Sequence, residues 1–263
     1  MQSTPVLFET GAATHVGMVR QRNEDSFLTR PEAGIWAVAD GMGGHLDGDL
    51  ASHIVIDALK SIQNPTSASQ LLALCENRIF DANSRLKEIG RQRGGVIVGT
   101  TITVLLAFDG YFACVWSGDS RIYIARQGQI TQISRDHTEV QDLLIKGVIS
   151  PEQVQEWTGS NVLTRAIGVA DPPELEMTSG PLSAGDIFVM CTDGLTHHVS
   201  DEEILRSVRV SRSQQACDRL ITLALERGAA DNVTVIVVRY RPDGGASPSN
   251  APVDQSGNAE RPA

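Results

Sequence analysis

Five short segments carry the residue types that hard metal ions and phosphate groups require. They are Arg20-Gln-Arg-Asn-Glu24-Asp25, Asp40-Gly-Met-Gly-Gly-His45, Ser117-Gly-Asp119-Ser-Arg121, Thr192-Asp193-Gly194 and Asp231-Asn232. Hard divalent cations take oxygen ligands, and several carboxylates together offset their charge. A guanidinium presents a planar fork of donors that matches two oxygens of a phosphate. Each segment also has a simpler reading. Asp-Gly is first of all a turn dipeptide, Asp231 can cap a turn, and Glu24-Asp25 can be a solvated acidic pair. Singly, the structural reading is favoured for each. All of them in one chain, on the elements described next, point to a common site.

The elements that must position these residues are strands and helices in mixture. Ile35–Asp40, Thr101–Phe108, Tyr111–Ser117, Arg121–Arg126, Asp186–Thr192 and Val233–Tyr240 are rich in Val, Ile, Thr and aromatics and are predicted strands. Asp109-Gly110 between two of them is a hairpin signal. Asp40 and Asp193 close apolar strands, Asp119 sits between two, and Asp231 precedes the last. Strand ends are rigid supports for carboxylates. Leu50, Ile54, Ala58 and Ile62 form one helical stripe, and Leu71, Cys75, Ile79, Ala82, Leu86 and Ile89 another, with Gly90 as its expected stop. A third helix is predicted over 214–227, with Gly228 as its stop. Ser200 with Glu203 and Ser150 with Gln153 have capping-box spacing. Consecutive hairpin strands with helices before and between them imply an α+β fold of antiparallel sheets covered by helices.

Composition narrows the partners. The net charge of −10 disfavours nucleic acid and anionic membranes, since both repel an acidic surface. Cys75, Cys114, Cys191 and Cys217 show no CxxC spacing, so neither zinc nor redox chemistry is supported, and buried thiols are expected. No basic region followed by an apolar stretch opens the chain, and no run of about 18 apolar residues occurs, so neither a signal peptide nor a membrane span is predicted and a cytoplasmic location is expected. The Pro-, Gly- and Ser-rich residues 241–263 are expected to be a disordered tail.

GMVRQRNEDS, VADGMGGH, GTTITVLL, SGDSRIY, NVLTRAIG, CTDGL and DNVTVIVV occur in that order. In this the chain resembles the type 2C metal-dependent protein phosphatases, the PPM family, in their bacterial form, from about residue 10 to residue 240. The resemblance implies a central antiparallel β-sandwich with helices on both outer faces, a four-layer αββα arrangement, with metals at one end. It implies two, and in bacterial members three, Mn²⁺ or Mg²⁺ ions. Asp40 matches the carboxylate that bridges two of them, Asp193 and Asp231 match further ligands of the first, and the Gly41 carbonyl matches a ligand of the second. Glu24 and Asp25 match the acidic pair near that second ion, Arg20 the arginine that binds substrate phosphate, and Asp119 with Asp193 the third-metal site. His45 lies where bacterial members carry a histidine near the site.

The implied function is hydrolysis of phosphoserine and phosphothreonine in proteins, opposing a Ser/Thr kinase, by a monomer whose partners are that kinase and its substrates, with neither nucleic acid nor membrane. Compact relatives occur with secretion-system regulators. The physics is consistent: two cations roughly 3.5–4 Å apart neutralise a phosphate dianion and lower the pKa of water from 15.7 towards about 7. Residues 137–179 match the family's mobile flap beside the site. There Glu156-Trp157-Thr158-Gly159-Ser160 stands where many relatives carry His-Pro, which bears on substrate choice and not on the metals. The competing readings are a pseudophosphatase that only binds phosphoproteins, disfavoured because every expected ligand carboxylate is present, and a phosphodiesterase or small-molecule phosphatase, with Arg20 better suited to a terminal phosphate. His197 and His198 are read as loop residues, His15, His53 and His137 show no partner pattern, and Trp36, Trp116 and Trp157 are read as packing residues.

Overall fold

Period-two alternation along the strands separates two buried layers, and the separation decides where the acidic residues point. The computed structural model describes residues 7–43, 47–63, 65–154 and 162–242. Its strands are β1 (Phe8–His15), β2 (Asp25–Arg30), β3 (Ile35–Met42), β4 (Gly99–Thr100), β5 (Ile102–Phe108), β6 (Tyr111–Ser117), β7 (Arg121–Arg126), β8 (Gln129–Gln132), β9 (Glu176–Pro181), β10 (Ile187–Cys191) and β11 (Val233–Tyr240). The helices are α1 (Asp47–Lys60), α2 (Ala68–Gln92), α3 (Glu139–Ile145), α4 (Pro151–Val154), α5 (Asp193–Thr196), α6 (Asp201–Val210) and α7 (Ser213–Glu226). One sheet has the order β1-β11-β10-β7-β8 and the other β2-β3-β5-β6-β9, with β4 added beside β3. All neighbouring strands are antiparallel.

The sheets pack face to face through Trp36, Val38, Leu105, Cys114, Ile122, Phe188, Met190 and Ile236. Ile35, Ala37 and Ala39, the alternate residues of β3, face outward and pack with α1 and α2. On the opposite side Val233, Val235 and Val237 pack with α6 and α7. The result is the expected αββα arrangement. Central strands such as β5 are covered on both faces, which is why they read as unbroken apolar runs.

The turns at the two ends of the sandwich differ. At one end lie tight hairpins, with Asp109 and Gly110 at φ 46° and 77° and Gln127 and Gly128 at φ 52° and 80°. These are the left-handed pairs that two-residue hairpins require. At the other end lie the chain reversals and strand starts that contain the acidic motifs. The connection Gly118-Asp119-Ser120 crosses from one sheet to the other, since β6 and β7 belong to different sheets.

Several expectations shift in detail. Gly90 does not end its helix: α2 runs on to Gln92, and the chain turns away at Gly94 and Gly95, both at positive φ. Gly90 is needed for another reason, because a Cβ there would overlap the Val96 carbonyl. Both capping boxes form, and Gly228 follows α7 at φ 80°. Residues 176–179, assigned to the flap by resemblance, belong to β9, paired with β6. Trp36 and Trp116 are buried as expected and bond to Thr10 and the Arg135 carbonyl. All four cysteines are free and buried. Trp157 and residues 243–263 lie outside the described residues. Among the described residues, no helix is long and apolar enough to cross a membrane.

The inter-sheet layer is the element both sheets share, so truncation there should be costly. Phe188→Ala, which removes a fully buried ring that packs edge-on against Phe112 at 5.0 Å, is expected to lower the unfolding free energy by about 3–5 kcal/mol, read from urea denaturation.

Candidate metal and phosphate site

At the end of the sandwich opposite the tight hairpins, the side chains between the sheets change from apolar to polar. Along β3, Trp36 and Val38 face inward, and so does Asp40, two residues further on. Asp25 is its direct cross-strand partner in β2, which puts both carboxylates on the same inner face. On the other sheet Phe188 and Met190 are followed at the same parity by Thr192, and Ile236 is preceded by Thr234. A cleft of about 380 Å³ opens here, lined by Arg20, Glu24, Asp40, Gly41, Asp119, Asp193 and Asp231 together with Met42, Gly43, Thr101, Leu163 and Asn232. Asp25 sits behind it, 5% exposed. His45 lies outside the described residues.

Asp40 is fixed through its backbone. The Asp40 carbonyl accepts from the Thr101 N–H and the Thr100 hydroxyl, both at 2.8 Å, and the Asp40 N–H donates to the Thr101 hydroxyl at 3.0 Å. That hydroxyl is also 2.7 Å from Ser120 Oγ, which ties Asp40 to the Asp119 connection. Gly41 and Gly48 of α1 touch so closely that a Cβ on Gly41 would overlap the Gly48 carbonyl, and one on Gly48 would overlap Glu24. This contact brings the helix start up to the site. Asp119 follows Gly118, whose φ of 115° suits glycine.

Asn232 closes the entrance segment: its amide nitrogen donates to the Val16 and Arg22 carbonyls, each at 2.9 Å, and its Oδ1 accepts from the Glu24 N–H at 2.7 Å. None of these supporting roles for Asn232, Thr101 or Ser120 was expected from sequence. His137, which showed no partner pattern, is 2% exposed and holds Gly118 twice. Its Nδ1 accepts from the Gly118 N–H at 3.1 Å, and its own N–H donates to the Gly118 carbonyl at 3.0 Å. His197, read as a loop residue, stands one helical turn from Asp193, with Nδ1 3.7 Å from Asp193 Oδ2.

The electrostatics are those of a site with too much negative charge. Burial pushes Asp25 up to about 7, opposed by hydrogen bonds from Thr234 and Thr192, with Asp193 and Asp231 adding repulsion. Burial pushes Asp119 up to about 7 as well, with Asp193 the next cause. Asp40 lies well above the usual carboxylate range through burial and then the charge of Asp25. Asp193 is raised by burial, with His197 opposing. Like charges gathered out of water are unstable unless they are neutralised or paired.

Two observations show how the residues suit hard cations. The donor set is entirely oxygen, and Asp25 Oδ1 is buried without a hydrogen-bond partner. Among the described residues, however, no three carboxylates, histidines or cysteines are disposed to enclose one ion. Asp231 is turned instead to Arg20, whose Nε and Nη2 donate to its two oxygens at 2.9 and 2.8 Å.

Comparison with known proteins shows the family. The profile of the protein phosphatase 2C family matches residues 15–228, and the chain belongs to that family. It is 36% identical over 238 residues to the serine/threonine protein phosphatase PstP of Mycobacterium tuberculosis, an alignment that covers 90% of this chain and 46% of PstP. The chain thus spans about half the length of that relative. PppA of Pseudomonas aeruginosa, described as a key regulatory component of T6SS, superposes with a TM-score of 0.83 at 37% identity, covering 89% of this chain and 97% of that one. The catalytic domain of PstP in complex with two manganese ions superposes with a TM-score of 0.75 at 35% identity, covering 89% and 98%.

The raised carboxylates give the metal-free protein a definite pH dependence. In the native state they bind more protons than in the unfolded chain, so stability falls as pH rises from the ordinary carboxylate range through about 7. His137, buried and held neutral, acts in the opposite sense, one group against several. In EDTA the melting temperature is therefore expected to be lower at pH 8 than at pH 5.5. A melting temperature that is level or rises over that interval would contradict the electrostatic picture.

Proposed function

We propose that this chain hydrolyses phosphoserine and phosphothreonine in proteins, using Mn²⁺ or Mg²⁺. It acts as a cytoplasmic monomer that opposes a bacterial Ser/Thr kinase, within a phosphatase domain that ends by residue 240. The observation that carries the reading is the placing of Asp40, Asp119, Asp193, Asp231 and Glu24 around one cleft beside Arg20, in a chain of the protein phosphatase 2C family. The relative PstP, a serine/threonine protein phosphatase, supports the substrate class, and its complex supports manganese. The likeness to PppA supports a regulatory setting.

In this reading Asp40, Asp193, Asp231 and the Gly41 carbonyl hold two cations, Glu24 and Asp25 lie beside the second, and Asp119 with Asp193 holds a third. Bound cations supply charge neutralisation for the phosphate and a lower pKa for water. The protein's own residues do the rest. The backbone bonds of Asp40 to Thr100 and Thr101 fix one carboxylate at the site, while Asp231 must turn from Arg20 to join it. Arg20 grips two phosphate oxygens with its fork. In the described arrangement that fork is engaged by Asp231, but the pair is exposed, 55% and 44% for the two side chains. Such pairs contribute only about 0–1 kcal/mol, so an incoming phosphate dianion can displace the carboxylate.

The test is phosphate release from a phosphothreonine peptide. Release is expected with Mn²⁺ and absent in EDTA, with a cyclic dinucleotide left intact. Asp193→Asn is expected to lower turnover by more than ~100-fold, beyond the range typical of changes in residues around metal ligands, while melting remains cooperative. Full peptide hydrolysis in EDTA, or near-normal turnover by folded Asp193→Asn, would refute the reading.

A further inference from the structure

Asp25 is a carboxylate of β2 held by hydroxyls of the opposite sheet. Its Oδ2 accepts from Thr192 Oγ1 at 2.9 Å and from Thr234 Oγ1 at 2.6 Å, and both threonines are 0% exposed. Its Oδ1 is equally buried and has no hydrogen-bond partner. A carboxylate with two strong donors on one oxygen and none on the other is asymmetrically satisfied. Leaving a charged oxygen buried and unpaired is costly unless something outside the hydrogen-bond network completes it.

The donors have no freedom of direction. An ionised Asp25 only accepts, so both threonine hydroxyls must donate to it. Thr192 Oγ1 then accepts from the Thr234 N–H at 3.0 Å. Thr234 Oγ1, its proton committed to Asp25, can only accept from Thr14 Oγ1 at 2.7 Å. Thr14 Oγ1 in turn accepts from Asn23 Nδ2 at 2.8 Å, and Asn23 Oδ1 accepts from the Asp25 N–H at 3.2 Å. The network closes on itself, with the Thr192 and Thr234 protons directed to Asp25 Oδ2 and the Thr14 proton to Thr234.

We propose that Thr192 and Thr234 are positioning residues of the metal centre. They occupy Oδ2 and thereby hold Asp25 with Oδ1 free for a divalent cation or for water bound to one. The proposal rests on the metal-dependent reading above. It gives a task to the threonines of Thr192-Asp193-Gly194 and of the last strand that propensity for β-structure alone does not. It also explains how the two sheets stay in register at the open end of the sandwich, since the clamp joins β2 to β11 and to Thr192, the residue after β10, across the interior.

Thr192→Val and Thr234→Val keep the shape and remove the hydroxyl, and Thr→Ser at each position keeps the hydroxyl and removes the methyl. Mn²⁺ is titrated calorimetrically into the metal-free full chain, with melting in EDTA followed on the same samples. Each Val variant is expected to bind Mn²⁺ some 10–100-fold more weakly, the usual effect of losing a partner of a metal ligand. Each Ser variant is expected to stay within about threefold of the wild type. Val variants that melt cooperatively and bind Mn²⁺ like the wild type would overturn the proposal, as would Ser variants that lose as much affinity as Val. If the wild type itself bound no Mn²⁺, the metal-dependent reading would fail, and not the clamp alone.

Discussion

Buried carboxylates of like charge, packed at one end of a layer between two sheets, are the constraint on which the rest of this structure depends. Asp25 and Asp40 face each other across β2 and β3, and the charge of Asp193 helps to raise Asp119. Such a group cannot be a stabilising feature of the metal-free fold. It is held there by everything around it: an apolar inter-sheet layer below, the glycine contact of Gly41 with Gly48, the Thr101–Ser120 link, and the hydroxyls that clamp Asp25. Local instability of this kind, maintained by a stable scaffold, is the usual condition of a functional site.

The same constraint explains the unusual engagement of Arg20. Its fork satisfies Asp231, a half-exposed carboxylate at the mouth of the cleft. Among the described residues, Asp25, Asp40 and Asp119 have no such partner, and Asp193 has only His197 at 3.7 Å. On the proposed reading, cation binding and phosphate binding draw on this one exposed pair.

Much of this was legible in the sequence, and what was missed has physical reasons. The central strands β3, β5, β6, β7, β10 and β11 announce themselves because both faces are buried, so their composition is nearly all apolar or β-branched. β1 and β9 do not. FETGAATH and EMTSGP contain glycine and polar residues, and become strands only through pairing with β11 and β6. Gly90 misled because a helix glycine signals a stop as well as it signals close packing, and here the packing against Val96 decides. The acidic positions were legible because their spacing is a motif. The threonines that orient Asp25, and His137 beneath Gly118, were not, since Thr in a strand reads as propensity and a lone histidine reads as nothing in particular. Only the fold shows what their side chains reach.

On the proposed reading, the carboxylate cluster is a cation site that costs stability when empty of charge partners. The direct measurement is thermal melting at pH 8, in EDTA and in saturating Mn²⁺, for the wild type and Asp40→Asn. A ligand at about 100 times its Kd contributes about 2.7 kcal/mol, and for a chain of this size that is an increase of roughly 5–10 °C. The account predicts that increase for the wild type. It predicts that Asp40→Asn melts higher than the wild type in EDTA, because a repelling charge is gone, and gains little from Mn²⁺. A wild type indifferent to Mn²⁺, or an Asp40→Asn protein that melts lower in EDTA yet keeps the full metal increment, would contradict it.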